Sequence, residues 1–160
     1  MAGPIRWYDL PCAAKGPHGQ GVAAFEDDRE GSRVGKPLLV SIIDDDQDVR
    51  AALDALLSSM GYDVACFESA EDFLASDLAR GSDCIVSDVQ MAGMNGVDLA
   101  RRLHLEGSLA PVILISAFAN DVVRANVART GARCLLEKPF NPDRLLEEVE
   151  AATGVRAPLG

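Results

Sequence analysis

The sequence predicts an α/β protein built on a parallel sheet with helices on both faces. From Leu38 onward, five short apolar runs of strand character alternate with five segments whose apolar residues recur every three or four positions. The runs are apolar at nearly every position, which marks strands buried on both sides, and right-handed crossovers place helices above and below such a sheet.

The elements follow in order. "LLVSII" is an apolar strand ending in "DDDQD", and Val49, Leu53, Leu56, Leu57 and Met60 then recur at helical spacing until Gly61 supplies a stop. "YDVACF" is the second strand. Ser69 caps a helix with the apolar stripe Ala70, Phe73, Leu74 and Leu78. "CIVS" is the third strand, running into Asp88, and Val97, Ala100 and Leu103 mark the next helix. "PVILIS" is the fourth strand, and the Val-rich segment from Asp121 to Arg129 reads as a marginal helix, a candidate for movement. "CLLE" is the fifth strand, after which Asn141 as cap and Pro142 at the first helical position open a helix with Leu145, Leu146 and Val149 inward.

Residues 1–36 lie outside this alternation. They hold Gly-Pro, Pro-Cys and Gly-Gln-Gly without a sustained period and are expected to be a flexible N-terminal extension; "IRWYDL", with the only Trp, is a candidate docking motif within it. Residues 37–155 form the folded domain and 156–160 a C-terminal tail.

At 160 residues the chain has room for one core. No apolar run approaches the roughly 20 residues that span a bilayer, and no basic start precedes a long apolar stretch, so the expectation is a cytoplasmic protein without a membrane role. Cys12, Cys66, Cys84 and Cys134 form no Cys-x-x-Cys pair and read as reduced, mostly core residues. The formal charge is −10, and since residues 1–36 carry five acids and five bases, the remainder holds 20 acids against 10 bases. Such a surface disfavours direct nucleic-acid binding.

Functional groups gather at the carboxyl ends of strands in sheets of this kind. There the first strand ends in Asp44-Asp45-Asp46, the third in Asp88, the fourth in Ser116 and the fifth in Glu137-Lys138-Pro139. Solvated strand ends do not require three carboxylates, a hydroxyl and a lysine delivered from four strands to one edge. In this order and at these places, the residues from Lys36 to about Val155 resemble the receiver domain of two-component response regulators. "IIDDD", "SAEDFL" and "LLEKPF" are most similar to receivers of nitrogen-fixation-type transcription regulators.

The resemblance implies a flavodoxin-like fold with strand order 2-1-3-4-5. It makes Asp88 the phosphoacceptor, Asp44 and Asp45 the acidic pair, Ser116 the hydroxyl switch residue and Lys138 the invariant lysine, preceding a cis peptide bond. Phosphoryl would come from a sensor histidine kinase or a phosphotransfer protein. The recipient is a signalling domain that catalyses only its own phosphorylation and dephosphorylation, acting on a downstream protein or a missing output domain, with a homodimer on phosphorylation as one outcome.

The residue types suit that chemistry. At an effective dielectric of about 20, two like charges about 4 Å apart repel by roughly 4 kcal/mol, so the cluster calls for cations. Three carboxylates and one lysine sum to −2, which one Mg²⁺ neutralises. Asp45 and Asp88 would bind the ion directly and Asp44 through water, and in the family the backbone carbonyl at the position of Gln90 binds too. Asp46 and Asp48 are expected instead to begin the first helix, and Met91 and Met94 to pack the loop.

Two departures from the family pattern stand out. Ala92 occupies the place of a usual proline after the acceptor, and Leu135 the place of an aromatic residue three before the lysine. Both keep open a rival reading, a degenerate receiver that docks independently of phosphorylation. A haloacid dehalogenase-type phosphatase would need a late acidic pair after its lysine, yet the acids after Lys138 fall within the last helix, and no Gly-rich turn follows the first strand to hold a nucleotide.

Overall fold

The computed structural model describes residues 37–154, so the expected flexible extension with its docking motif, Cys12 and the C-terminal tail lie outside the described residues. Five strands, β1 (Leu39–Ile43), β2 (Asp63–Phe67), β3 (Cys84–Asp88), β4 (Val112–Ser116) and β5 (Cys134–Glu137), form one parallel sheet in the order β2-β1-β3-β4-β5. Central β1, β3 and β4 are buried at every position, as their apolar runs require, whereas edge strands β2 and β5 are partly open.

The helices are α1 (Gln47–Ser59), α2 (Ala70–Ala75), α3 (Leu78–Gly81), α4 (Gly96–Leu105), α5 (Asp121–Ala128) and α6 (Pro142–Thr153). α1 and α6 cover one face, where Leu53, Leu57, Leu145 and Val149 meet Val40, Ile42 and Val86. α2, α4 and α5 cover the other through Phe73, Leu99, Leu103 and Val127 against Ile43, Ile85 and Leu114. The Phe67 and Phe73 rings meet edge to face with centroids 5.3 Å apart, securing α2 beside the edge strand.

Caps set the helix starts. Asp46, Ser69, Asn95, Asn120 and Asn141 each accept a backbone N–H from the first turn of the helix they precede. Gly61, with φ of 94°, takes the left-handed turn that ends the α1 region.

One element differs from expectation. The single helix with stripe residues Ala70 to Leu78 is broken into α2 and α3. Ser76 leaves the helix for an extended conformation and its hydroxyl accepts the Leu78 N–H at 3.0 Å, so a local side-chain bond restarts the chain as a second, one-turn helix. The two short helices still make a single crossover between β2 and β3. No helix among the described residues is long and apolar enough to cross a membrane.

Candidate functional site

The parallel sheet directs the ends of β1, β3, β4 and β5 to one edge. As β1 ends, the Asp44 N–H still reaches Phe67 O on β2 at 3.1 Å. The three consecutive aspartates then take different places. Asp44 turns inward and is only 2% exposed, its Oδ1 accepting the Asp46 N–H at 2.9 Å. Asp45 faces solvent at the rim. Asp46 caps α1 through the Asp48 N–H at 2.9 Å, so Asp46 and Asp48 begin the helix as expected. Arg50, one turn into α1, donates to the Asp44 carbonyl and ties the strand end to the helix.

Asp88 closes β3 and is 6% exposed. Ligand oxygens of Asp44, Asp45 and Asp88 all lie within 4.8 Å of one another. Lys138 follows β5 after a register that sets Glu137 beside Ser116, and its N–H donates to Ser116 O at 2.8 Å, which sends the side chain back over the carboxylates. Its Nζ stands 3.2 Å from Asp88 Oδ1 and 3.7 Å from Asp44 Oδ2, and the Lys138–Pro139 peptide is cis.

One ammonium does not compensate three carboxylates. Burial, reinforced by the neighbouring Asp88 charge, pushes the Asp44 carboxyl up to about 7. Burial also raises Asp88, against the lowering effect of Lys138. Among the described residues, Asp88 Oδ1 accepts no hydrogen bond, and the ammonium at 3.2 Å meets it as an ion pair. A crowded oxygen cluster with an under-satisfied buried oxygen is a fitting site for a hard divalent cation such as Mg²⁺.

Ser116, fully buried at the end of β4, is turned toward the following loop. Its hydroxyl accepts the Phe118 N–H at 3.0 Å and faces two acceptors, Phe118 O at 2.6 Å and Gln90 Oε1 at 3.0 Å, which its single proton serves one at a time. Gln90 therefore reaches across to β4 with its side chain, while its carbonyl belongs to the loop two residues beyond Asp88. Leu135 is half-buried against the cluster that contains Val127 and Leu114. Met91 and Met94 pack against that same cluster, the loop-packing role expected of them.

Two residues around Asp88 escaped the sequence reading. Gly96 opens α4 beneath the end of β3, and a Cβ there would fall 2.2 Å from Asp88 O, so no side chain fits without moving the backbone that carries Asp88. The Asn95-Gly96 dipeptide was a legible turn signal, though not for this close approach. The other is Glu71, whose carboxylate accepts the Met94 N–H at 3.0 Å across 23 residues; no local pattern announces such a contact.

A doubly wound sheet whose strand ends present this acidic cluster beside a lysine defines a signalling domain of receiver type as a class. Residues 40–150 match the response regulator receiver domain, and the chain belongs to that family. The transcriptional regulatory protein TdiR of Thauera aromatica is 36% identical over 123 residues, covering 77% of this chain and 54% of TdiR. The transcriptional regulatory protein FixJ of Bradyrhizobium diazoefficiens is 34% identical over 113 residues, 71% of this chain and 55% of FixJ. The chain thus spans about half the length of these curated relatives. Among solved structures, FixJ-N superposes with a TM-score of 0.67 at 31% identity, covering 78% of this chain and 99% of its own, and the BeF3-activated DrrB receiver domain with 0.68 at 25% identity, covering 74% and 98%.

Proposed function

We propose that this receiver takes a phosphoryl group onto Asp88 from a phosphohistidine of a sensor kinase or phosphotransfer protein. The observation that carries the reading is the placement of Asp88, 3.2 Å from Lys138 and within 4.8 Å of the oxygens of two further carboxylates at the open edge of the sheet. An Asp88 oxygen forms the new bond to phosphorus as the nitrogen–phosphorus bond breaks, and the imidazole leaves with the electron pair. Lys138, free to swing on its four-carbon stem, transfers its charge from the carboxylates to the phosphoryl oxygens. Asp44, Asp45, Asp88 and the Gln90 carbonyl would hold Mg²⁺, which supplies charge neutralisation at the acceptor when bound.

The readout runs through Ser116. In the structure its hydroxyl clasps Phe118 from both backbone groups. A phosphoryl group offers stronger acceptors, so the hydroxyl turns to it and releases the loop that leads into α5. That loop and helix expose Phe118 at 68% and Val122 at 67%, an apolar surface for a protein partner or an output domain whose presentation changes with phosphorylation. The setting of these events is the cytoplasm, where histidine kinases present their phosphoryl groups.

Incubation with acetyl phosphate and Mg²⁺ tests the reading. One acid-stable, base-labile phosphoryl group is expected, absent in Asp88→Asn. Labelling that persists in Asp88→Asn but disappears in Asp44→Asn would instead make Asp44 the nucleophile, and no labelling at all in the wild type would favour a docking module that works without phosphorylation.

A further inference from the structure

We propose that Glu71 is a positioning residue for the acceptor loop, its carboxylate latching the tip of the loop between β3 and α4 by accepting the Met94 N–H. The consequence for metal binding rests on the Mg²⁺ reading above, while the latch itself stands on geometry.

The loop leaves the sheet at Asp88 and must return to start α4 at Gly96. Its two ends are fixed by backbone bonds, Val89 N–H to Ile115 O at 2.8 Å and Gly96 N–H to Val89 O at 3.0 Å. Between them the chain crosses Gln90 to Asn95, the stretch in which Ala92 stands where similar receivers place proline. Without the ring, φ at position 92 is unrestrained, and the tip needs another constraint.

Glu71 supplies it from outside the loop. Its Oε2 lies 3.0 Å from the Met94 nitrogen, and the neighbouring Gly93 has φ of 77°. A Cβ on Gly93 would fall 2.9 Å from that same oxygen and 3.4 Å from Oε1, so the carboxylate fills the space a side chain at 93 would need. The latch is mounted on a firm base. Glu71 sits in the first turn of α2, which Ser69 caps at 3.0 Å and which Phe73, fully buried two residues later, holds against the sheet. The Met94 N–H is also the main influence that holds the Glu71 carboxyl below its ordinary range.

Gln90 lies in this loop and Asp88 at its β3 end, so fixing the tip narrows the positions open to both. A missing latch should therefore weaken cation binding more than it disturbs the fold, because Glu71 itself is exposed and buries nothing when removed. The expected loss is about fivefold, below the roughly 10–100-fold of outer partners that contact a ligand directly.

The test uses the full chain with Glu71→Ala, Glu71→Gln and the double variant Glu71→Ala, Ala92→Pro. No hydrogen bond from the Ala92 N–H is present among the described residues, so proline removes none. Amide exchange at Met94, followed by NMR without metal, should quicken severalfold in Glu71→Ala and return in Glu71→Gln, whose amide oxygen can still accept. The Mg²⁺ concentration giving half the thermal shift should rise about fivefold in Glu71→Ala and fall back toward wild type when Ala92→Pro is added. Unchanged Met94 exchange in Glu71→Ala would overturn the latch. Faster exchange with unaltered Mg²⁺ dependence would overturn the positioning role. A wild-type protein indifferent to Mg²⁺ would overturn the metal reading, an outcome kept distinct because the Met94 comparison needs no metal.

Discussion

α1 and α5 are fastened to the same sheet very differently. α1 buries Val49, Ala51, Ala52, Leu53, Asp54 and Leu57, whereas α5 buries Val127 alone and leaves Val122 in solvent. α1 also begins directly after the acidic run, and Arg50 binds it back to the Asp44 carbonyl. The acidic run is thus tied to the more deeply packed side of the molecule. Across the sheet, the Ser116 hydroxyl joins the site to the loosely held loop and helix. An element with few buried contacts opens at low cost, so a small rearrangement at Asp88 should be amplified there and not at α1.

Substitutions can break this contrast. Leu53→Ala, which empties a fully buried place on α1, should cost about 2–5 kcal/mol in urea unfolding. A loss below 1 kcal/mol would deny that α1 is the anchored element. Lys138→Ala removes the ammonium that both Asp44 and Asp88 face, and should slow phosphorylation by acetyl phosphate about 100-fold while the fold persists. A rate near wild type would remove Lys138 from the chemistry.

The acidic cluster makes a pH prediction for the metal-free protein. Because the folded-state Asp44 carboxyl is raised to about 7 from an ordinary value of 3.8, its contribution to stability is complete below about pH 4 and is lost as pH rises through 7. Asp44→Asn should therefore be more stable than wild type at pH 8 with chelator present, by roughly 4 kcal/mol at most, with the difference fading toward pH 4. Added Mg²⁺ should stabilise wild type at pH 8 and close the gap. Identical pH profiles for the two proteins would show that the carboxylate is not held under this strain. Smallest of all, Val127→Ala should cost about 1.5 kcal/mol and raise amide exchange within α5 without touching α1. Equal changes in both helices would mean they open as one unit.

Much of this was legible beforehand because strands and caps are written locally. Every apolar run became a strand, and Ser69, Asn141 and Pro142 occupy the cap and first-turn places their chemistry suggested. The gathering of Asp44, Asp45, Asp88, Ser116 and Lys138 at one edge followed from that pattern, and the family and sheet order from the resemblance those residues carry. The sequence could not show that Asp44 turns inward and Asp45 outward, because the turns of adjacent residues depend on how the chain leaves β1. It also hid the break at Ser76, since the apolar stripe continues through Leu78 at helical spacing while a hydroxyl decides the backbone. The Gly96 approach to Asp88 and the Glu71 contact with Met94 are long-range, and no window of neighbouring residues contains both partners.

Leu135 sharpens the question of how the loose side is moved. It is half-buried beside β4 and has no polar tip to exchange between water and core, so transmission should fall on residues 117–129 and not on position 135. Hydrogen exchange with and without beryllofluoride and Mg²⁺ tests this most directly. Altered protection across residues 117–129, with α1 unchanged, is expected in wild type and in Leu135→Ala, and should vanish in Ser116→Ala. A response that survives Ser116→Ala but is lost in Leu135→Ala would contradict the account, placing the signal on the leucine and leaving the hydroxyl a structural cap.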